Sequence, residues 1–219
     1  NSMGWYISLA VGGALDFDDG FRLVQEMAIF QEEHQGGGQL IYPVVDEEWR
    51  PDAARRQAVE AALASSPGEV FPSISLGGFA VLAGTNMGTS HLMRALPPVQ
   101  LGRNQYPLRL MGHGPYHTPL VIGVSDRARV TLARLGWRRP RVTLIDGRGV
   151  RFTPWATDVS MLRDYTLREQ VIAPYDVTAS VRVALREYGP DELVLPGPGN
   201  TRGAICGQIL AAEGWRGVH

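Results

Sequence analysis

The sequence predicts an α/β fold interrupted by a small α+β insertion, on three observations. Apolar residues recur at helical spacing from Gly4 to about Glu33, strand-like and helix-like runs then alternate in the order βαββαβ to about Gly112, and helix and strand signals resume beyond His117. In the first stretch Leu9, Leu15, Phe17, Leu23, Val24, Met27 and Phe30 form the apolar stripe. Gly12-Gly13 breaks it and the acidic Asp16-Phe17-Asp18-Asp19 restarts it, so it reads as two helices with a turn. After Gly36-Gly37-Gly38 the insertion reads as a strand over 39–45, a helix over 52–66 and a strand over 69–76. A Gly77-Gly78 turn, a strand over 79–84, a helix over 90–96 and a strand over 106–111 complete it. That order is the ferredoxin-like pattern, and two glycines suit the tight hairpin between its middle strands. The remainder reads as a helix to about Leu135, a strand over 141–146, a Gly147-Arg148-Gly149 turn and a strand over 150–153. Helices near 158–173 and 177–188, a strand over 192–195, the turn Pro196-Gly197-Pro198-Gly199 and a helix from about Thr201 follow.

The 219 residues are 44% hydrophobic, enough to bury a sizeable core. With 21 basic residues against 22 acidic ones and no like-charge run, nucleic acid is not an expected partner. Every basic residue is arginine, which excludes Schiff-base, Walker and general-base lysines. One cysteine, Cys206, cannot form an internal disulfide. No apolar run reaches transmembrane length, so no membrane partner is expected and the cytoplasm is the expected location. Chemistry therefore falls to serine, histidine, carboxylates or arginine.

Two segments supply a serine and a histidine. Asn1-Ser2-Met3-Gly4 reads as the second half of a G-x-S-x-G nucleophile elbow, a sharp strand-to-helix turn that exposes a serine hydroxyl and aims backbone N–H groups at the same spot. The elbow's leading glycine and strand are absent, and a chain that opens on Asn1 reads as a fragment or one piece of a split enzyme. Taken alone, a serine at a helix start is more often an N-cap. The second segment, Gly114-Pro115-Tyr116-His117-Thr118-Pro119-Leu120, puts His117 on a proline-flanked loop, with His113 as its competitor. His34, His91 and His219 suggest no role.

Taken in order, Ser2-Met3-Gly4, the Ala-rich helix after it, the strand ending at Gly84, the Pro115-Tyr116-His117-Thr118-Pro119-Leu120 block, Arg168-Glu169-Gln170 before Pro174 and Gly197-Pro198-Gly199 resemble the malonyl-CoA:acyl-carrier-protein transacylase family. The resemblance runs almost end to end but lacks the family's N-terminal third. It implies an α/β-hydrolase-like core formed by residues 1–35 and 113–219, with a ferredoxin-like subdomain over 36–112. It also implies transfer of an acyl group from CoA to acyl carrier protein, in fatty-acid or polyketide synthesis, with Ser2 as nucleophile and His117 as general base. Gln170 would orient the histidine through a main-chain or side-chain carbonyl, and the Met3 N–H would be one oxyanion donor. By itself, a glutamine in the helical run Leu167–Val171 reads as a solvated residue. No metal and no covalently bound cofactor are expected. The CoA thioester and the phosphopantetheinyl acyl carrier protein are the expected substrates and partners, and the missing N-terminal segment or a companion chain is a further one.

The chain departs from the family pattern in its pocket. Met27 stands twenty-five residues beyond Ser2, where malonyl-specific members carry an arginine for the free carboxylate. A charge-assisted pair of that kind contributes about 1.5–3 kcal/mol, and its loss points to an uncharged, short acyl group. Tyr116 leaves little room for branching at the α-carbon, Phe79 stands where a polar residue is common, and Trp5 replaces an acidic residue. The alternatives are an acyl-thioester hydrolase on the same scaffold and a non-catalytic fragment.

Overall fold

The computed structural model describes residues 2–34, 36–197 and 201–216. Helix α1 (Ser2–Val11) and helix α2 (Phe17–Glu33) occupy the predicted two-helix stretch. The Asp16 carboxylate starts α2 by accepting the Asp19 N–H at 2.9 Å, which satisfies one orphan donor of the first turn. At Gly20 the two helices come so close that an added Cβ would stand 2.6 Å from the Ala10 methyl. Leu9, Leu23, Met27 and Phe30 meet between them in the larger hydrophobic core.

The segment read from the sequence as an insertion follows as β1 (Gly38–Pro43), α3 (Ala53–Ala64), β2 (Val70–Leu76), β3 (Phe79–Gly84), α4 (Asn86–Ala95), the short hairpin β4 (Val99–Leu101) and β5 (Asn104–Tyr106), and β6 (Leu108–Leu110). Its strands order as β6-β1-β3-β2, all antiparallel, with Gly77 at φ +61° in the β2–β3 turn. Pro72, which cannot donate to a ladder, sits beside a bulge: Pro72 pairs with Leu82 and Ile74 with Val81, leaving Ser73 as the extra residue. Leu40, Tyr42, Val59, Leu82, Leu92 and Tyr106 belong to a second core. The β4–β5 hairpin was not foreseen, because three-residue strands are too short to show a period; the strand expected over 106–111 shrinks to β6.

Beyond the insertion, α5 (Ile122–Thr131) packs on α2, and the hairpin β7 (Leu144–Ile145) and β8 (Arg151–Phe152) replaces two longer predicted strands. Its turn is closed by the buried Asp146 carboxylate, which accepts from the Arg148 and Val150 N–H groups and pairs with the Arg148 guanidinium. The helix expected near 158–173 is broken into α6 (Val159–Asp164), a π-turn over Tyr165–Glu169 and α7 (Gln170–Ile172). Strand β9 (Tyr175–Asp176) then adds to the insertion's sheet, parallel to β2, making it five-stranded and mixed. Helix α8 (Val177–Tyr188) starts on the Asp176 carboxylate and ends at Gly189, φ +52°. Helix α9 (Thr201–Ala212) brings the Gln208 carbonyl to the Gly78 N–H at 2.9 Å. The fold is thus α/β. Residues 192–195 form no strand among the described residues: their Val194 is 74% exposed, and no neighbouring strand pairs with them. Of the turn Gly197-Pro198-Gly199, the last two residues lie outside the described residues, as does Asn1. No described helix is long and apolar enough to cross a membrane.

Candidate active site

Ser2 is the first residue of α1 and Met3 the second. The N–H groups of a helix's first turn have no partner within the helix and sit at the positive end of its dipole, so this position suits a developing negative charge. His117 lies on the loop between β6 and α5 at φ +58°, the left-handed region that costs a residue with a side chain about 1–2 kcal/mol. Hydrogen bonds within the loop hold it there: the Tyr116 N–H donates to the Gly114 carbonyl at 2.8 Å, and the Thr118 hydroxyl to the Pro115 carbonyl at 2.6 Å.

The His117 ring is buried against Tyr175, with 5.5 Å between ring centroids. Its Nδ1 lies 2.6 Å from the Gln170 main-chain carbonyl oxygen. A carbonyl only accepts, so Nδ1 carries the proton and Nε2 keeps its lone pair. Burial is the main cause that pushes the imidazole pKa down to about 4, so the ring is neutral at pH 7. No carboxylate is needed to set this tautomer. The carbonyl is available because Pro174, the residue four places on, has no N–H to claim it.

Gln170 is 3% exposed, not solvated. Its side-chain amide donates to the Ser2 carbonyl at 3.1 Å, while its side-chain oxygen accepts from the Tyr6 hydroxyl at 2.8 Å. One residue therefore holds the imidazole with its main chain and the start of α1 with its side chain. Burial raises the Tyr6 pKa, which keeps that phenol a donor. Tyr6 had no place in the sequence reading, although its spacing of four puts it one turn below Ser2 on the same face. Trp5 also gains an explanation: its indole N–H donates to the Thr166 hydroxyl at 2.9 Å, and its ring meets Tyr165 edge-on at 5.2 Å. Thus α1 is fastened to the 165–170 segment from two consecutive residues.

A curated malonyl-CoA:acyl-carrier-protein transacylase of Salmonella typhimurium is 27% identical over 96% of this chain and 64% of its own length. The chain is thus similar, over nearly all of its length, to part of a malonyl-CoA:acyl-carrier-protein transacylase. It spans 64% of the length of the curated transacylases it matches. The fold agrees with that of the Synechocystis malonyl-CoA:acyl-carrier-protein transacylase, with a TM-score of 0.79 at 19% identity over 96% of this chain and 65% of that one. It agrees likewise with a malonyl-transacylase solved in complex with a type II polyketide acyl-carrier protein, with a TM-score of 0.77 at 20% identity over all of this chain and 65% of that one. No family model matches the chain.

The remaining candidates fall in three places. Met27 is fully buried in the larger core, so the structure sets a thioether there among apolar neighbours. Tyr116 packs half-buried against the same core, directly beside His117. Phe79 belongs to the second core, 5.7 Å from the Tyr106 ring, and is not among the groups that meet His117. The competitor His113 is engaged elsewhere, with Nδ1 2.9 Å from the Gln39 side-chain oxygen.

Proposed function

We propose that the chain carries the serine and histidine of an acyltransferase that moves an acyl group from CoA to the phosphopantetheine thiol of an acyl carrier protein through an ester on Ser2. The observation that supports it best is the 2.6 Å contact of the Gln170 carbonyl with His117 Nδ1, which leaves Nε2 as a base. In this reading Nε2 takes the Ser2 hydroxyl proton as the oxygen attacks the thioester carbonyl, and the Met3 N–H faces the resulting oxyanion. The C–S bond breaks, and the departing CoA thiolate receives the proton from the imidazolium. The carrier thiol then reverses the sequence, giving up its proton to Nε2, attacking the ester and releasing the Ser2 hydroxyl. The biological setting is fatty-acid or polyketide synthesis.

Met27 favours an uncharged acyl group, because a carboxylate facing a buried thioether has no compensating partner. Incubation with labelled malonyl-, acetyl- and butyryl-CoA, followed by mass analysis, is expected to show an adduct on Ser2 from the neutral acyl groups at least tenfold faster than from malonyl. No adduct from any of them overturns the acyltransferase; a malonyl preference overturns only the role of Met27. Rapid release of the acyl group to water without carrier protein supports the hydrolase instead. A companion segment is part of the proposal: Val11 is 84% and Phe17 78% exposed on the outer face of α1 and α2, beside the half-exposed Ile7 and Phe21. An apolar face of this extent calls for a cover.

The imidazole also sets a pH dependence. With a folded pKa of about 4 against 6.5 when unfolded, the unfolded chain binds the extra proton between those values and the folded chain does not. Stability is therefore expected to fall as pH drops from 6.5 to 4, by about 3 kcal/mol from this group. Urea melts at pH 7 and pH 4.5 measure it, and His117→Gln should flatten the dependence. Adduct formation should keep its rate down to about pH 5; an acid limb at 6.5 contradicts the buried neutral base.

A further inference from the structure

We infer that Gln39 and Ser73 are positioning residues for His117, acting through the peptide that precedes it; the inference rests on His117 being the base proposed above. Ser73, fully buried, is the bulged residue of β2, and the bulge turns its hydroxyl out of the ladder toward the histidine loop. That hydroxyl donates to the Tyr116 carbonyl at 2.8 Å and accepts from the Gln39 side-chain amide at 2.7 Å. The same amide reaches the Tyr116 carbonyl at 3.4 Å. Gln39, on β1, is itself buried, and its side-chain oxygen is held by His113 Nδ1 at 2.9 Å. His113 donates to an amide oxygen, which only accepts, so the Gln39 amide nitrogen is aimed at Ser73 and Tyr116.

The Tyr116 oxygen and the His117 nitrogen belong to one planar peptide. Holding that oxygen fixes the plane about which His117 adopts φ +58°, while the Gln170 carbonyl fixes the other end of the residue through its ring. A left-handed conformation at a residue with a side chain persists only where its surroundings impose it. Two sheet residues 34 apart in sequence thus impose it from the insertion. Among the described residues, His117 meets the Gln170 carbonyl and the Tyr175 ring, and His113 meets Gln39 and, at 6.2 Å, the Tyr116 ring. The Gln39 and Ser73 contacts are separate from the Gln170 contact that sets the His117 tautomer.

Ser73→Ala and Gln39→Leu test the inference in the full chain. In acylation from acetyl-CoA, kcat is expected to fall about 10- to 100-fold in either variant with KM within about threefold, as for loss of an outer partner that orients a reacting group. Ser73→Thr, which keeps the hydroxyl on a strand, should restore kcat to within about threefold. In parallel, the His117 ring protons followed by NMR should titrate nearer the ordinary histidine range in Ser73→Ala than in the parent chain. An unchanged kcat together with an unchanged His117 titration overturns the inference. If the parent chain forms no Ser2 adduct, the acyltransferase reading fails, and the NMR titration still decides whether Ser73 and Gln39 hold the ring.

Discussion

His117→Ala is expected to slow acylation of Ser2 by at least about 10³-fold while leaving most of the fold intact. Positioned general acid–base catalysis contributes about 10²–10⁴-fold, and a serine hydroxyl without a base is a weak nucleophile. The residual rate comes from whatever the α1 N-terminus does for the oxyanion. His117→Gly separates chemistry from folding, because glycine adopts φ +58° freely and alanine does not. Both variants should lose the same activity, while the glycine variant melts as the more stable by about 1 kcal/mol. Single-turnover adduct formation and urea melts measure the two effects. An alanine variant that acylates Ser2 at a tenth of the parent rate or better removes the imidazole from the mechanism.

What could be read from the sequence depended on whether the signal was local. Helix α8 was legible over 177–188 because Asp176 caps one end and Gly189 the other. Strand β3 and the Gly77-Gly78 turn were legible because a short apolar run after a glycine pair needs only a few neighbouring residues. The π-turn over Tyr165–Glu169 was not, because an i→i+5 bond leaves no periodic trace, and the Ser125 hydroxyl that donates to its Leu167 carbonyl comes from α5, 42 residues away. Segment 192–195 has strand composition without strand pairing, since a ladder depends on a neighbour that the segment cannot specify. At the candidate site, Ser2, His117 and Gln170 were named through the resemblance. Their joining through Gln170 had one local cue, the proline at position 174 that leaves the carbonyl unclaimed. Gln39 and Ser73 had none: a polar residue in a strand reads as solvent-facing, and only the bulge and the long-range pairing reveal where their side chains go.

Trp5→Ala is expected to cost about 3–5 kcal/mol, the range for removing a buried large aromatic side chain. Against a stability of about 5–15 kcal/mol for an ordinary domain, that is a large fraction of what keeps the chain folded. Three losses add up at one position. The cavity opens beside Tyr165 and Phe152, whose rings lie 5.2 and 5.9 Å from the indole; the edge-on contact with Tyr165 disappears; and the Thr166 hydroxyl loses its incoming donor. Thr166 still donates to the Leu162 carbonyl at 2.8 Å, so the hydrogen-bond loss is partial. Trp5→Phe keeps most of the ring and should cost only about 1–2 kcal/mol, which separates packing from the hydrogen bond. The same variants act on the site, because α1 presents Ser2 and is held against the Gln170 segment by Trp5 and Tyr6 together. Urea melts give the stability, and adduct formation measured where each variant is fully folded gives the positioning. In Trp5→Ala the adduct rate should fall by more than in Trp5→Phe, with Tyr6→Phe between them, because α1 then keeps Trp5 and loses only the hydroxyl that orients Gln170. A Trp5→Ala chain within about 1 kcal/mol of the parent would mean that α1 is held by its packing on α2 alone.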